Sequence, residues 1–143
     1  MSKRLYAEGT SVPIDRSKAE VERLLTRYGA TSFASGWSND VATLLFEAKG
    51  RRIRFELPMP DAKRWSSEDK RAQEARRRWR CLALVIKAKL EAVESGIVEF
   101  EQEFLAHIVV PGTRETFGAW AAPQIAAAYE RGLGMPPLLG TGQ

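Results

Sequence analysis

The chain has 143 residues, 44% hydrophobic and 28% charged, with 22 Lys and Arg against 18 Asp and Glu for a net charge of +4. This balance fits a single globular domain over residues 1–143 with a real core, and no run approaches the roughly 18 consecutive apolar residues of a membrane span. The single cysteine, Cys81, excludes an internal disulfide, and with one histidine, His107, it is too little for a zinc site built from Cys and His.

Residues 1–14 have no hydrophobic periodicity, and Gly9 and Pro13 predict an extended lead-in. Its start lacks the apolar core of a signal peptide, so a cytoplasmic location is expected. A helix is predicted from about Asp15 or Ser17, where Ser17-x-x-Glu20 has the capping-box pattern. Val21, Leu24, Leu25 and Tyr28 then recur at helical spacing, and Gly29 suits the position after the last turn.

The period changes over residues 31–57. Residues 41–48 and 51–57 read as two strands joined by a Lys49-Gly50 turn. A two-residue loop sets Phe46 opposite Ile53, Leu44 opposite Phe55 and Ala42 opposite Leu57 on an apolar face. The other face then pairs Glu47 with Arg52, Leu45 with Arg54 and Thr43 with Glu56. Residues 31–37 form a preceding strand, with Ser38, Asn39 and Asp40 as turn residues. A three-residue loop would put Phe33 and Trp37 beside Arg52 and Arg54, an arrangement suited to stacking single-stranded nucleic acid. A loop of two or four residues would turn both aromatics to the core. Sequence alone leaves the register open.

Pro58 and Pro60 stop the sheet. Residues 66–96 read as one long helix, with Ser66-x-x-Asp69 at its start. Ala72, Ala75, Trp79, Leu82, Ala83, Ile86, Leu90 and Val93 step along one face, flanked by Arg76, Arg80 and Lys87 on one side and Arg71, Arg78 and Lys89 on the other. The opposite face carries Cys81, Leu84, Val85, Ala88 and Ala92, so a sandwiched helix is expected. Residues 98–109 read as a second helix, with Phe100, Phe104, Leu105 and Ile108 inward and Glu99, Glu101 and Glu103 outward. Thr113 or Thr116 caps a last helix through Tyr129, which Pro123 either kinks or divides. Residues 132–143, with the run Met135-Pro136-Pro137-Leu138-Leu139, read as a flexible tail, with an extended docking strip as the alternative.

No phosphate-binding glycine loop, EF-hand or nucleophile elbow is present, and Cys81 sits mid-helix among apolar residues, so no enzyme, metal or cofactor is expected. Charge gives the lead instead. Residues 51–89 hold 13 basic against 5 acidic side chains, and residues 90–103 hold 5 Glu and no cation. Arg76, Arg77, Arg78 and Arg80 would repel one another within about a turn and a half of helix unless anions are near. Phosphates would serve, joined by Arg51, Arg52 and Arg54 from the hairpin and by Lys87. Glu74 is the local alternative.

The phrases LYAEGTSVP, FEAKGRRIRFELPMP, IKAKLEAVESGI, EFLAHIVVPGTRETFGAW and MPPLL, which touch most of the chain, resemble small uncharacterised proteins encoded by bacteriophages and prophages. The resemblance implies a phage accessory protein in the cytoplasm of a host bacterium and carries no functional residues. The order helix, three strands, helix is also loosely similar to single-strand annealing proteins.

The expectation is therefore an α+β protein: a short N-terminal helix, a three-stranded antiparallel sheet, and a long central helix covered by two C-terminal helices. Its expected function is nucleic-acid binding through Arg51, Arg52, Arg54, Arg76, Arg77, Arg78, Arg80 and Lys87, with Phe33 and Trp37 as stacking candidates. The alternative is a module binding a host or phage protein. A homo-oligomer is left open, and no membrane association is expected.

Overall fold

Two tight turns organise the middle of the chain. The computed structural model describes the backbone of residues 2–13 and the backbone and side chains of residues 14–65 and 67–132. Strands β1 (Ser32–Ser38), β2 (Val41–Ala48) and β3 (Arg51–Pro58) form an antiparallel sheet in that order. Lys49 and Gly50 have φ of 54° and 73°. Positive φ at both central residues is the type I′ geometry whose twist matches the strands. Every β2–β3 pair expected from the sequence is present, from Phe46 opposite Ile53 to Thr43 opposite Glu56.

The β1 register is now fixed. Ser38 pairs with Val41, so the loop is Asn39-Asp40 alone, and Phe33 lies opposite Phe46 with Trp37 opposite Ala42. Both aromatics therefore share the helix-side face, and neither interleaves with Arg52 and Arg54 on the other. The stacking arrangement is overturned because Ser38 belongs to the strand.

Helix α1 runs Ser2–Tyr28, so the extended lead-in expected over residues 1–14 is helical from Ser2 onward. Gly9 and Pro13, ordinarily poor in helices, do not end it. Ile14, Lys18, Val21, Leu25 and Tyr28 form one stripe at spacings of three and four, which places Ser17 inside the helix rather than at a cap. The end is as expected. Gly29 has φ of 110°, its N–H reaches the Thr26 carbonyl, and the Ala30 N–H reaches that of Leu25, a Schellman closure.

Helix α2 spans Glu68–Glu94, capped by the Ser67 side chain accepting from the Lys70 N–H; Ser66 lies outside the described residues. Glu68 and Asp69 sit in its first turn, favourable beside the positive end of the dipole. Its buried face is Trp79, Leu82, Ala83, Ile86 and Leu90, as the spacing predicts. The Lys18 ammonium lies 5.0 Å from the Trp79 ring centroid. Farther along both helices Tyr28 lies near Glu94; burial, then the Glu94 charge, raises the phenol pKa. The contacts advance in the same direction on each helix, so α1 and α2 run parallel, both facing the apolar side of the sheet. Val21, Leu25, Phe46, Leu44, Ile53 and Ile86 are fully enclosed between them.

Beyond α2 the chain departs from the expected helix over residues 98–109. A single turn, α3 (Phe100–Glu103), is followed by a 3₁₀ turn at Leu105–His107. Ile108 then bridges Ile53, and the Val109 N–H donates to the Arg52 carbonyl at 2.9 Å. Phe100, Phe104 and Ile108 are buried as expected, but Leu105 is exposed. A spacing of four suits a helix and also two successive turns, and the β-branched run before Pro111 favours extension along the free side of β3.

Helix α4 (Phe117–Arg131) is capped by Thr116 through the Ala119 N–H and continues unbroken through Pro123. It rests on the 3₁₀ turn so closely that a Cβ at Gly118 would lie 2.8 Å from the Ala106 carbonyl oxygen. The architecture is α+β, with helices before and after an antiparallel sheet. The tail from 133 onward, with its proline-leucine run, lies outside the described residues. Among the described residues no helix is long and apolar enough to cross a membrane.

Candidate interface on the long helix

The eight cations singled out by the sequence do not converge. Arg51 lies on the helix side of the sheet at the hairpin turn, 3.0 Å from Glu101. Arg52 is on the opposite face, held by Glu47 at 3.1 Å. Arg54, on that same face, has its Nε 3.5 Å from Glu56. That Nε is buried without a hydrogen-bond partner. An open groove of about 630 Å³ borders the turn, but the Arg51 and Arg52 that line it are answered there by Glu101 and Glu47.

The α2 cluster divides as well. Glu74 receives Arg77 and Arg78, each at 2.7 Å. Arg78 also donates to the Pro58 carbonyl at 2.6 Å, tying the helix to the far end of β3. Lys89 is 3.1 Å from Glu103, which is half-buried rather than outward. The acidic segment thus answers part of the basic one within the fold: Glu101 takes Arg51 and Glu103 takes Lys89.

Hydrogen bonds from Arg77, then Arg78, hold the Glu74 carboxyl pKa at about 2, against an ordinary 4.5. A depressed folded-state pKa gives stability that is fully present above the ordinary value and lost as pH falls through the folded one. The melting-temperature gap between wild type and Glu74→Gln is therefore expected to be steady at neutral pH. It should close as pH drops from 4.5 toward about 2. A gap of unchanged size at the acid end would mean that packing, not charge, carries the effect.

Three cations remain. Among the described residues Arg76, Arg80 and Lys87 make no ion pair. At 3.6 residues per turn they fall within about 40° of one another over about 16 Å of helix. Beside this row runs a surface the sequence places under a second helix. Leu84 is 58% and Val85 45% exposed, and Cys81 and Ala88 are also open. The expectation of a sandwiched α2 fails here because α4 packs on the 3₁₀ turn instead.

Cys81 is thus outward, its sulfur 3.8 Å from an Arg77 nitrogen. His107 lies elsewhere, its ring stacked on Phe55 with centroids 4.0 Å apart. Burial, then the Lys89 charge, lowers the His107 pKa against a hydrogen bond with the Arg54 backbone. No hydrogen bond joins the two side chains. Phe33 packs against the core, and Trp37 stays 79% exposed because β1 is the edge strand.

The elements define an α+β protein whose long helix presents a row of cations beside an apolar stripe. The chain matches no protein-family model, no curated protein and no solved structure.

Proposed function

We propose that this protein is a non-enzymatic interaction module, and that the outward face of α2 binds a partner protein with an apolar patch bordered by carboxylates. The observation that carries the proposal is that uncovered Leu84, with Val85 at the far edge of the same open stripe, borders Arg76, Arg80 and Lys87, which lack carboxylate partners among the described residues. An apolar centre with a charged rim is the ordinary anatomy of a protein interface. The resemblance to phage-encoded proteins supplies the context of a host or phage protein as partner.

Nucleic acid is the second reading, and the unpaired cation row favours it. Against it, Arg51, Arg52, Arg54, Arg77 and Arg78 are engaged by glutamates on separate faces, so few charges remain to release counterions together.

Affinity capture from nuclease-treated lysate and gel shifts across a salt series separate the two. The expected result is a stoichiometric protein partner, lost in Leu84→Glu and weakened in Arg76→Glu, with no shift of single- or double-stranded DNA. A salt-sensitive shift lost in Arg76→Glu/Arg80→Glu, with no captured protein, overturns the proposal in favour of nucleic acid.

A further inference from the structure

The two edges of the sheet are treated differently. The free side of β3 is covered, where Val109 bonds to Arg52 and Ile108 bridges Ile53. Among the described residues nothing pairs with the free side of β1. Edge strands are usually blunted by lysine, proline, a bulge or an inward charge. The β1 sequence Ser-Phe-Ala-Ser-Gly-Trp-Ser has no charge and no proline, and its pairing with β2 runs without a bulge.

Which backbone groups are free follows from the turn. In a two-residue hairpin the flanking residues, here Ser38 and Val41, exchange hydrogen bonds, and bonded pairs then alternate along the ladder. Ser32, Ala34, Gly36 and Ser38 thus direct their N–H and C=O toward β2. Phe33, Ser35 and Trp37 direct theirs outward. Their side chains all lie on the helix side of the sheet.

We infer that β1 is a self-pairing edge, and that two copies of this protein join there in antiparallel fashion about a two-fold axis through Ser35, making one continuous six-stranded sheet. This register overlaps the whole of Ser32–Ser38 with itself. It makes hydrogen-bonded pairs of Ser35 with Ser35 of the second copy and of Phe33 with Trp37 of the second copy, the latter occurring twice. Each such pair exchanges both of its backbone bonds. It sets an exposed tryptophan against a half-buried phenylalanine on the same face, the aromatic cross-strand contact that favours strand pairing. No like charges meet, because the strand has none. A second copy is the occupant because the strand complements itself over its full length, as an isologous interface must. This inference does not depend on the role given to α2.

The test is the mass of the full chain in solution across a concentration series, by sedimentation and light scattering. Wild type is expected to shift from monomer to a doubled mass as concentration rises. Ser35→Lys and Ser35→Glu each place like charges at the axis, on an exposed side chain outside the core. Each is expected to stay monomeric with an unchanged circular dichroism spectrum. An equimolar mixture of the two is expected to recover the doubled mass. In wild type the Phe33, Ser35 and Trp37 amides should exchange more slowly as the dimer forms. A wild type that stays monomeric at every concentration overturns the inference, whether or not its edge takes another protein's strand. So does a dimer that survives in both Ser35 variants, which would place the contact elsewhere, the α2 face included.

Discussion

Replacing Phe104 with alanine is expected to lower stability by about 3–5 kcal/mol, the range for a large aromatic lost from a closed core. Phe104 is fully buried. Its ring meets Phe46 edge-on at 5.9 Å, Phe55 edge-on at 6.3 Å and Phe100 at 4.8 Å. Residues 100–108 contain only short turns, so little hydrogen bonding of their own holds them in place, and the phenylalanine joins them to the sheet. A loss of this size is a large share of the roughly 5–15 kcal/mol that stabilises a typical domain. Urea denaturation of Phe104→Ala should show a much lower midpoint. Leu105→Ala, one residue away but exposed, should stay within about 0.5 kcal/mol of wild type. Equal effects at the two positions would mean that this segment does not pack as described.

The contrast between those neighbours marks what was legible in the sequence. The β2–β3 hairpin could be read because alternation and the Lys49-Gly50 turn point independently to one register. The buried stripe of α2 was legible because eight apolar positions repeat at one spacing over many turns. Residues 98–109 were not, since Phe100, Phe104 and Ile108 satisfy a helix as well as a turn, a 3₁₀ turn and a bridge. The start of α1 hid behind Gly9 and Pro13, although Ile14 already continues the stripe of Val21 and Leu25. The side of the sheet taken by Trp37 hinged on whether Ser38 closed a loop or extended a strand.

The candidate site was legible as residue types and not as an arrangement. Arg76, Arg80 and Lys87 could be placed on one flank from spacing alone. That Arg51 is answered by Glu101, 50 residues away, depends on the fold bringing the turn after β2 against α3. Nothing local predicts it. The apolar outward face of α2 was visible as well, but whether another element covers it depended on where α4 docks. Gly118 settles that only through its closeness to Ala106.

Trp79 sharpens the division between structure and function inside the arginine-rich turn. In the sequence it stands among Arg76, Arg77, Arg78 and Arg80, yet its spacing puts it on the apolar stripe with Ala75, Leu82 and Ile86. In the fold it is 2% exposed, with the Lys18 ammonium over its ring. Trp79→Ala is therefore expected to cost about 3–5 kcal/mol and to loosen the packing of α1 on α2. Lys18→Ala, which removes only the cation, should cost no more than about 1 kcal/mol. Arg80→Ala, altering an exposed side chain, should fall within about 0.5 kcal/mol of wild type. Chemical denaturation of the three variants gives the order directly. A Trp79→Ala protein as stable as wild type would contradict this packing. The expected order leaves Arg76, Arg80 and Lys87 as positions where charge can be reversed without unfolding the chain, and it is this that makes them usable probes of binding.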